Sequence, residues 1–215
     1  MSWFWSSCVV TLAYMLGSLS FAVIVSRAMK LDDPRTYGSG NPGATNVLRS
    51  GNRRAAILTL LFDALKGYVA VMAAAALALL QPQLDLHGGT VAAAGLAAFV
   101  GHLWPVFFRF EGGKGVATAA GVLLAFNPIL GGLSLATWLT VAYLTRYSSL
   151  AAIVTAVAAP LYDALIWHPT SRTLYIAVMS ALLVWRHAPN IRKLRAGTES
   201  RLGQRSAPVA PVQEP

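Results

Sequence analysis

From Trp3 to Val25 the chain has no charged side chain. That stretch exceeds the roughly 20 residues an α-helix needs to cross a bilayer. Further apolar runs follow at about 55–80, 91–108, 116–144, 150–167 and 173–185. Only 12% of the 215 residues are charged against 56% hydrophobic, about half the charge of an ordinary soluble domain. So little polar surface cannot cover a water-soluble globule, and disorder requires the opposite composition. The chain therefore reads as an all-α polytopic membrane protein with no room for a sizeable soluble domain. The single cysteine, Cys8, excludes an internal disulfide and a thiolate metal cluster.

A cleavable signal peptide would place basic residues ahead of its apolar core. Here Arg27 and Lys30 follow the first run. An uncleaved first helix is expected, with its N-terminus outside and Trp3 and Trp5 in the interfacial aromatic belt. The 116–144 run fits one tilted helix or two short ones. Asn127-Pro128 and then Gly131-Gly132 give a turn signal in its middle.

Charge decides between the two. If the run splits, one side of the membrane receives Arg27, Lys30, Arg35, Arg49, Arg53, Arg54, Arg109, Lys114, Arg146 and the basic residues from Arg186 onward. The other side keeps only Arg172, and Lys66 lies within a helix. An unbroken run gives six helices and a nearly even distribution. The positive-inside bias favours seven transmembrane helices, N-terminus out and C-terminus cytoplasmic. Residues 1–202 then form one membrane domain. Residues 203–215, rich in Pro and Gln without periodicity, form a disordered cytoplasmic tail.

Polar residues are expensive at membrane depth, and here they gather on the cytoplasmic side in three stretches. The first is Gly38-Ser39-Gly40-Asn41-Pro42-Gly43-Ala44-Thr45-Asn46-Val47-Leu48-Arg49. It contains G-x-G-x-x-G, but a dinucleotide site needs a preceding strand and a later acidic residue, so a Rossmann site is rejected. Glycine-rich backbone still approaches anions closely, Ser39, Asn41, Thr45 and Asn46 add neutral donors, and Arg49 can contact phosphate bidentately. An ordinary interfacial turn is the competing account.

The second stretch runs from Gly101-His102 through Gly112-Gly113-Lys114-Gly115 to Thr118. A P-loop fails, because Phe108 stands where its first glycine should be and Gly115 where Ser or Thr should follow the lysine. ATP or GTP chemistry is not expected. A lysine among glycines at a helix start remains a good anion site, against the plainer account of a positive-inside anchor. For His102 the plainer account, a satisfied polar residue near a helix end, is preferred.

The third stretch, Arg186 to Glu199, contains His187 and Asn190. Contact with anionic lipid headgroups accounts for Arg192, Lys193 and Arg195, but not for His187, Asn190 or Glu199. Asp63 and Lys66, three apart on a helix, share a face and are expected to form a structural ion pair. Ser148-Ser149 follows Arg146; capping is the default for such serines, with a substrate contact open to Ser149 if its loop faces the other stretches.

Taken together, G-S-G-N-P-G-A-T-N-V-L-R at 38–49, D-A-L-K-G at 63–67, G-H-L-W-P-V-F at 101–107, G-G-K-G-V-A-T at 112–118 and R-H…N-I-R-K-L…G-T-E within 186–199 resemble the bacterial acyl-phosphate:glycerol-3-phosphate acyltransferase (PlsY) family. The resemblance covers nearly the whole chain. It implies a multi-pass protein of the bacterial inner membrane whose active site faces the cytoplasm. It also implies transfer of a fatty acyl group from acyl phosphate to the sn-1 hydroxyl of glycerol 3-phosphate, giving lysophosphatidic acid and phosphate. Neither acyl-CoA nor acyl carrier protein would be the direct donor. Consistent with this, none of His87, His102, His168 and His187 has Asp five residues on, so the H-x-x-x-x-D pair of other glycerolipid acyltransferases is missing.

A mixed anhydride is already activated, so the expected work is orientation and charge stabilisation. Amides of Gly40 to Gly43 and of Gly112, Gly113 and Gly115 would hold the acyl-phosphate headgroup. Ser39, Arg49, Lys114, His187 and Asn190 would hold glycerol 3-phosphate, with Ser149 and Glu199 beside them. The resemblance assigns the proton to the donor phosphate; the competing assignment gives it to His187 as the one candidate catalytic base. No cofactor or metal is implied, since Glu111 and Glu199 stand apart from any carboxylate cluster. Expected partners are the two substrates, membrane lipids and the soluble enzyme that makes acyl phosphate; nucleic acid is not among them. The alternative function is a membrane transporter of a phosphate ester, which would place its site near the midplane of related halves.

Overall fold

The computed structural model describes residues 2–86 and 89–203. The tail proposed for 203–215 lies outside these from residue 204 onward. Among the described residues there is no strand.

The first apolar run is not one helix. α1 (Ser2–Gly17) and α2 (Phe21–Ala28) meet at a bend of 42°. In a continuous helix the Leu19 carbonyl would accept from Val23. Here the Val23 amide turns to Ser20 at 3.1 Å, and Lys66 Nζ takes the Leu19 carbonyl at 2.6 Å. A loop and the short α3 (Ala44–Val47) lead to α4 (Arg53–Leu80), capped by Asn52 Oδ1 accepting from the Ala55 amide at 3.0 Å. α5 (Thr90–Leu103) follows, with a 3-10 turn at Val106–Phe108.

The long fourth run splits into α6 (Val116–Phe126) and α7 (Pro128–Thr145). Asn127 Oδ1 accepts from Ile129 and Leu130 amides at 2.8 and 3.3 Å, with Pro128 at the first helical position, where its missing N–H costs nothing. Gly131-Gly132 plays no part in the turn: both lie within α7. Gly131 instead lets α7 lie directly on Leu124 of α6. The chain closes with α8 (Ser148–Trp167), α9 (Ser171–Arg186) and the amphipathic α10 (Ala188–Arg195).

Among the described residues, four helical segments, Arg53–Leu80, Thr90–Phe108, Pro128–Thr145 and Ser148–Trp167, are long and apolar enough to cross a membrane, and the bent α1–α2 pair makes a fifth if it is one span. α6 is apolar but has 11 residues. Small residues set the packing, as membrane helices require when apolar burial alone gives no preference. Gly121 of α6 sits on the Ala64 carbonyl of α4, and Gly67 of α4 on that of Thr118. Phe99, Leu103, Val122, Leu130 and Ile176 fill the core between α5, α6, α7 and α9.

One ionic site escaped the sequence reading. Asp163 of α8 is fully buried and pairs with Arg172 at 2.6 Å, while Thr173 donates to its other oxygen at 2.6 Å. These bonds tie α8 to α9 at the end of the bundle away from the three polar stretches.

Candidate functional site

The first stretch folds around Asn46. This side chain is buried, donates to the carbonyls of Pro34 and Tyr37 at 2.6 and 3.1 Å, and accepts from the Ser39 amide at 2.9 Å. Its amide holds the loop and is not presented outward. Gly38, at φ +61° and pressed on Asn46, leaves no room for a side chain. Ser39, Gly40 and Thr45 are exposed, and Asn41, Gly43 and Arg49 partly so.

The second stretch meets the first and the third at once. Gly113 packs against the Pro42 carbonyl, and Arg35 reaches Glu111 at 3.5 Å. Arg186, at the end of α9, donates to the Gly112 carbonyl at 2.8 Å and to that of Gly113 at 3.0 Å. Gly115, at φ +80°, turns the chain into α6 against Phe99. Lys114 stands just before that helix and donates to Asn190 Oδ1 on α10.

Asn190 in turn donates to Glu199 Oε1 at 2.7 Å, and Ser149 donates to the same oxygen at 2.6 Å. Ser149 therefore does not cap α8, whose N-cap is Tyr147. The segment beyond α10 straps the cluster: Arg49 donates to Ser200 at 2.7 Å, and the Leu202 amide to Arg146 at 2.7 Å. Arg49, Lys114, Ser149, Asn190 and Glu199 thus meet at one end of the bundle, from four separate parts of the chain.

Three of the loop amides expected to hold the headgroup are already bonded inside the protein. The Gly40 amide donates to Tyr37 at 3.0 Å, that of Gly43 to Asn41 at 2.9 Å, and that of Gly113 to His102 at 3.1 Å. These N–H groups are bonded within the protein, because each loop closes on itself or on α5 and satisfies its own backbone. The first turn of α6, next to Lys114, also offers N–H groups, since a helix start has no intrahelical partners for its first amides.

The electrostatics are one-sided. Lys114 is pulled down to about 8, by burial first, against the attraction of Glu199 and together with repulsion from Arg186, Lys193 and Arg49. Four cations thus face a single carboxylate. His187 is 3% exposed and held down to about 4, by burial first, with Lys114 and Arg186 adding to it. Its Nδ1 lies 2.8 Å from the Leu183 carbonyl. A carbonyl only accepts, so Nδ1 carries the proton and Nε2 is left as an acceptor.

Sequence reasoning missed Arg186 as the clamp on the glycine loop, treating it as one more basic residue behind the last helix. Nothing in its local pattern separates it from Arg192 or Arg195. His102 is buried and satisfied, as expected.

Residues 7–197 match the family described as Glycerol-3-phosphate acyltransferase. A glycerol-3-phosphate acyltransferase of Paraburkholderia phytofirmans is 61% identical over 197 residues, covering 92% of this chain and 91% of that protein. Another from Thiobacillus denitrificans is 59% identical, covering 92% and 97%. Among solved structures, PlsY (YgiH), described as an integral membrane glycerol 3-phosphate acyltransferase, superposes in its glycerol 3-phosphate form with a TM-score of 0.83 at 37% identity, over 92% of this chain and 96% of that one. Its lysophosphatidic acid form superposes at 0.82. A cation-rich cradle at one end of an apolar helical bundle, matched over nearly its whole length by these relatives, places this chain in the glycerol-3-phosphate acyltransferase family.

Proposed function

We propose that the chain takes its acyl group from acyl phosphate, delivers it to the sn-1 hydroxyl of glycerol 3-phosphate, and does so at the cytoplasmic face of a bacterial inner membrane. The observation that carries this reading is the charge imbalance at Lys114. Arg49, Arg186 and Lys193 lie close enough to depress it, and Glu199 alone opposes them. A cradle so charged is completed by doubly ionised phosphate groups, and both proposed substrates bring one.

The topology behind this reading has seven spans, with α6 and α9 added to the five apolar ones. The N-terminus is then outside and the C-terminus cytoplasmic. Every connection that reaches the cradle falls on one side, with all basic residues except Lys66 and Arg172. At 1.5 Å per residue α6 is about 16 Å long, half a hydrocarbon core. Its starting loop would lie sunken towards the acyl carbonyl of a lipid-borne donor.

In the reaction, Lys114 and Arg49 hold phosphate oxygens, with Ser39 and Asn190 positioning glycerol 3-phosphate beside them. The first-turn amides of α6 face the oxygen on which charge develops. Neutral His187 offers Nε2 as an acceptor that orients the attacking hydroxyl. The hydroxyl oxygen adds to the acyl carbonyl, the bond to the phosphate oxygen breaks, and the departing phosphate takes the hydroxyl proton. An anhydride leaving group makes a covalent acyl-enzyme unnecessary. The phosphate-ester transporter gives way to this reading, because the chain's relatives are acyltransferases.

Purified enzyme offered acyl phosphate, acyl-CoA or acyl carrier protein in parallel tests the donor, with the product's acyl position determined chemically. Turnover with acyl phosphate alone, giving the 1-acyl product, is expected. Equal rates from acyl-CoA or acyl carrier protein would overturn it.

A further inference from the structure

Beneath the cradle, inside the apolar bundle, three ionisable side chains share one pocket. Asp63 and Lys66 of α4 pair at 2.9 Å with 3% and 1% of their side chains exposed. His102, at the end of α5, places Nδ1 3.5 Å from Asp63 and 3.2 Å from Thr118 Oγ1 of α6. Ionisable groups at membrane depth are costly and mark places where they are needed.

These groups reach the loop that bears Lys114. The His102 carbonyl accepts from the Gly113 amide at 3.1 Å, and a side chain on Gly113 would run into His102 Nε2. Arg186 grips the carbonyls of Gly112 and Gly113. The loop is therefore held by both Arg186 and His102, whose ring is held by Thr118 and by the Asp63–Lys66 pair.

We propose that Asp63, Lys66 and His102 are positioning residues that fix the Gly112–Lys114 loop, and through it the placement of the Lys114 ammonium on substrate phosphate. The inference rests on the reading of Lys114 as a phosphate ligand. Lys114 contacts phosphate before and during acyl transfer, so its misplacement weakens ground state and transition state alike. That raises KM and leaves kcat in place.

The test uses the purified full-length enzyme, with glycerol 3-phosphate affinity by calorimetry, KM and kcat, and the thermal midpoint. The variants are His102→Ala, His102→Gln and the double Asp63→Asn/Lys66→Met, with Lys114→Ala as reference. The double variant removes both buried charges together, so neither is left unpaired. Expected are a near-normal midpoint, glycerol 3-phosphate KM and Kd raised about tenfold, and kcat within about twofold. His102→Gln, which keeps a hydrogen-bonding group beside Thr118, should recover most of what His102→Ala loses. Wild-type KM in a folded double variant overturns the proposal, as does a loss of kcat that tracks the loss of folded protein. If the double variant does not fold, His102→Ala, which strands no Lys–Asp charge, decides on the same readouts. Normal glycerol 3-phosphate binding by Lys114→Ala would instead overturn the phosphate-ligand reading itself, leaving the network nothing to position.

Discussion

Ser149 donates to Glu199 across 2.6 Å, joining the start of α8 to the segment beyond α10. The same carboxylate oxygen accepts from Asn190, which in turn accepts from Lys114. Glu199 is thus the counter-ion that orients two neutral side chains and holds the lysine proton. Removing it as Glu199→Ala takes away the one charge that raises Lys114. The alkaline limit of glycerol 3-phosphate binding should then move to lower pH than in the wild type. Calorimetric Kd values across pH 6 to 10 check this, and an unmoved limb would detach Glu199 from Lys114.

Lys114 itself gives the sharpest pH dependence. Free, it loses its proton at about 8; a bound phosphate dianion favours the charged form and raises that value. Binding is therefore strongest below about 8 and weakens as pH rises through it, because the proton must be taken up again. On the acid side, a phosphate monoester becomes fully charged only above about pH 6. Affinity should peak between these limits. Lys114→Ala should cost about 1.5–3 kcal/mol, the range of a charge-assisted hydrogen bond, and abolish the alkaline limb; a limb that survives belongs to another group.

His187 should not behave as a titrating base. Held at about 4, it is neutral through the working range, and a base that weak accepts a proton poorly at pH 7. Its depressed value also means that charging it on acidification costs folded stability. That stability is present above the ordinary histidine range and falls as pH drops below about 6.5 towards 4. His187→Gln keeps an acceptor and is expected to retain turnover with a raised KM and an unchanged acid limb. Loss of a kinetic limb near neutrality in this variant would restore the general-base assignment.

Much of this was legible from residue chemistry. The break at Asn127-Pro128 was visible as a turn signal in the middle of the run, and charge asymmetry favoured the split. The Asp63–Lys66 pair followed from helical spacing. The α1–α2 bend was not legible: the Leu19 carbonyl is taken by Lys66, a partner 47 residues away. That the Gly40, Gly43 and Gly113 amides are bonded internally was hidden for a related reason. A glycine-rich loop looks open in sequence, but whether its N–H groups face outward depends on acceptors such as the His102 carbonyl. Arg186 differs from its basic neighbours only in what lies opposite it.

Asp163 and Arg172 supply a test of stability separate from the cradle. Asp163 is fully buried and Arg172 about a quarter exposed, and the guanidinium also lies over the Trp167 ring at 5.6 Å. Arg172→Met would leave the carboxylate with Thr173 alone, a buried charge without its partner. Breaking such a pair from one side costs roughly 3 kcal/mol. The thermal midpoint should fall by several degrees and recover in part in the double variant Arg172→Met/Asp163→Asn, which strands no charge. Glycerol 3-phosphate KM, set at the opposite end of the bundle, should stay within about twofold of wild type in both. A changed KM at an unchanged midpoint would mean that this pair communicates with the cradle.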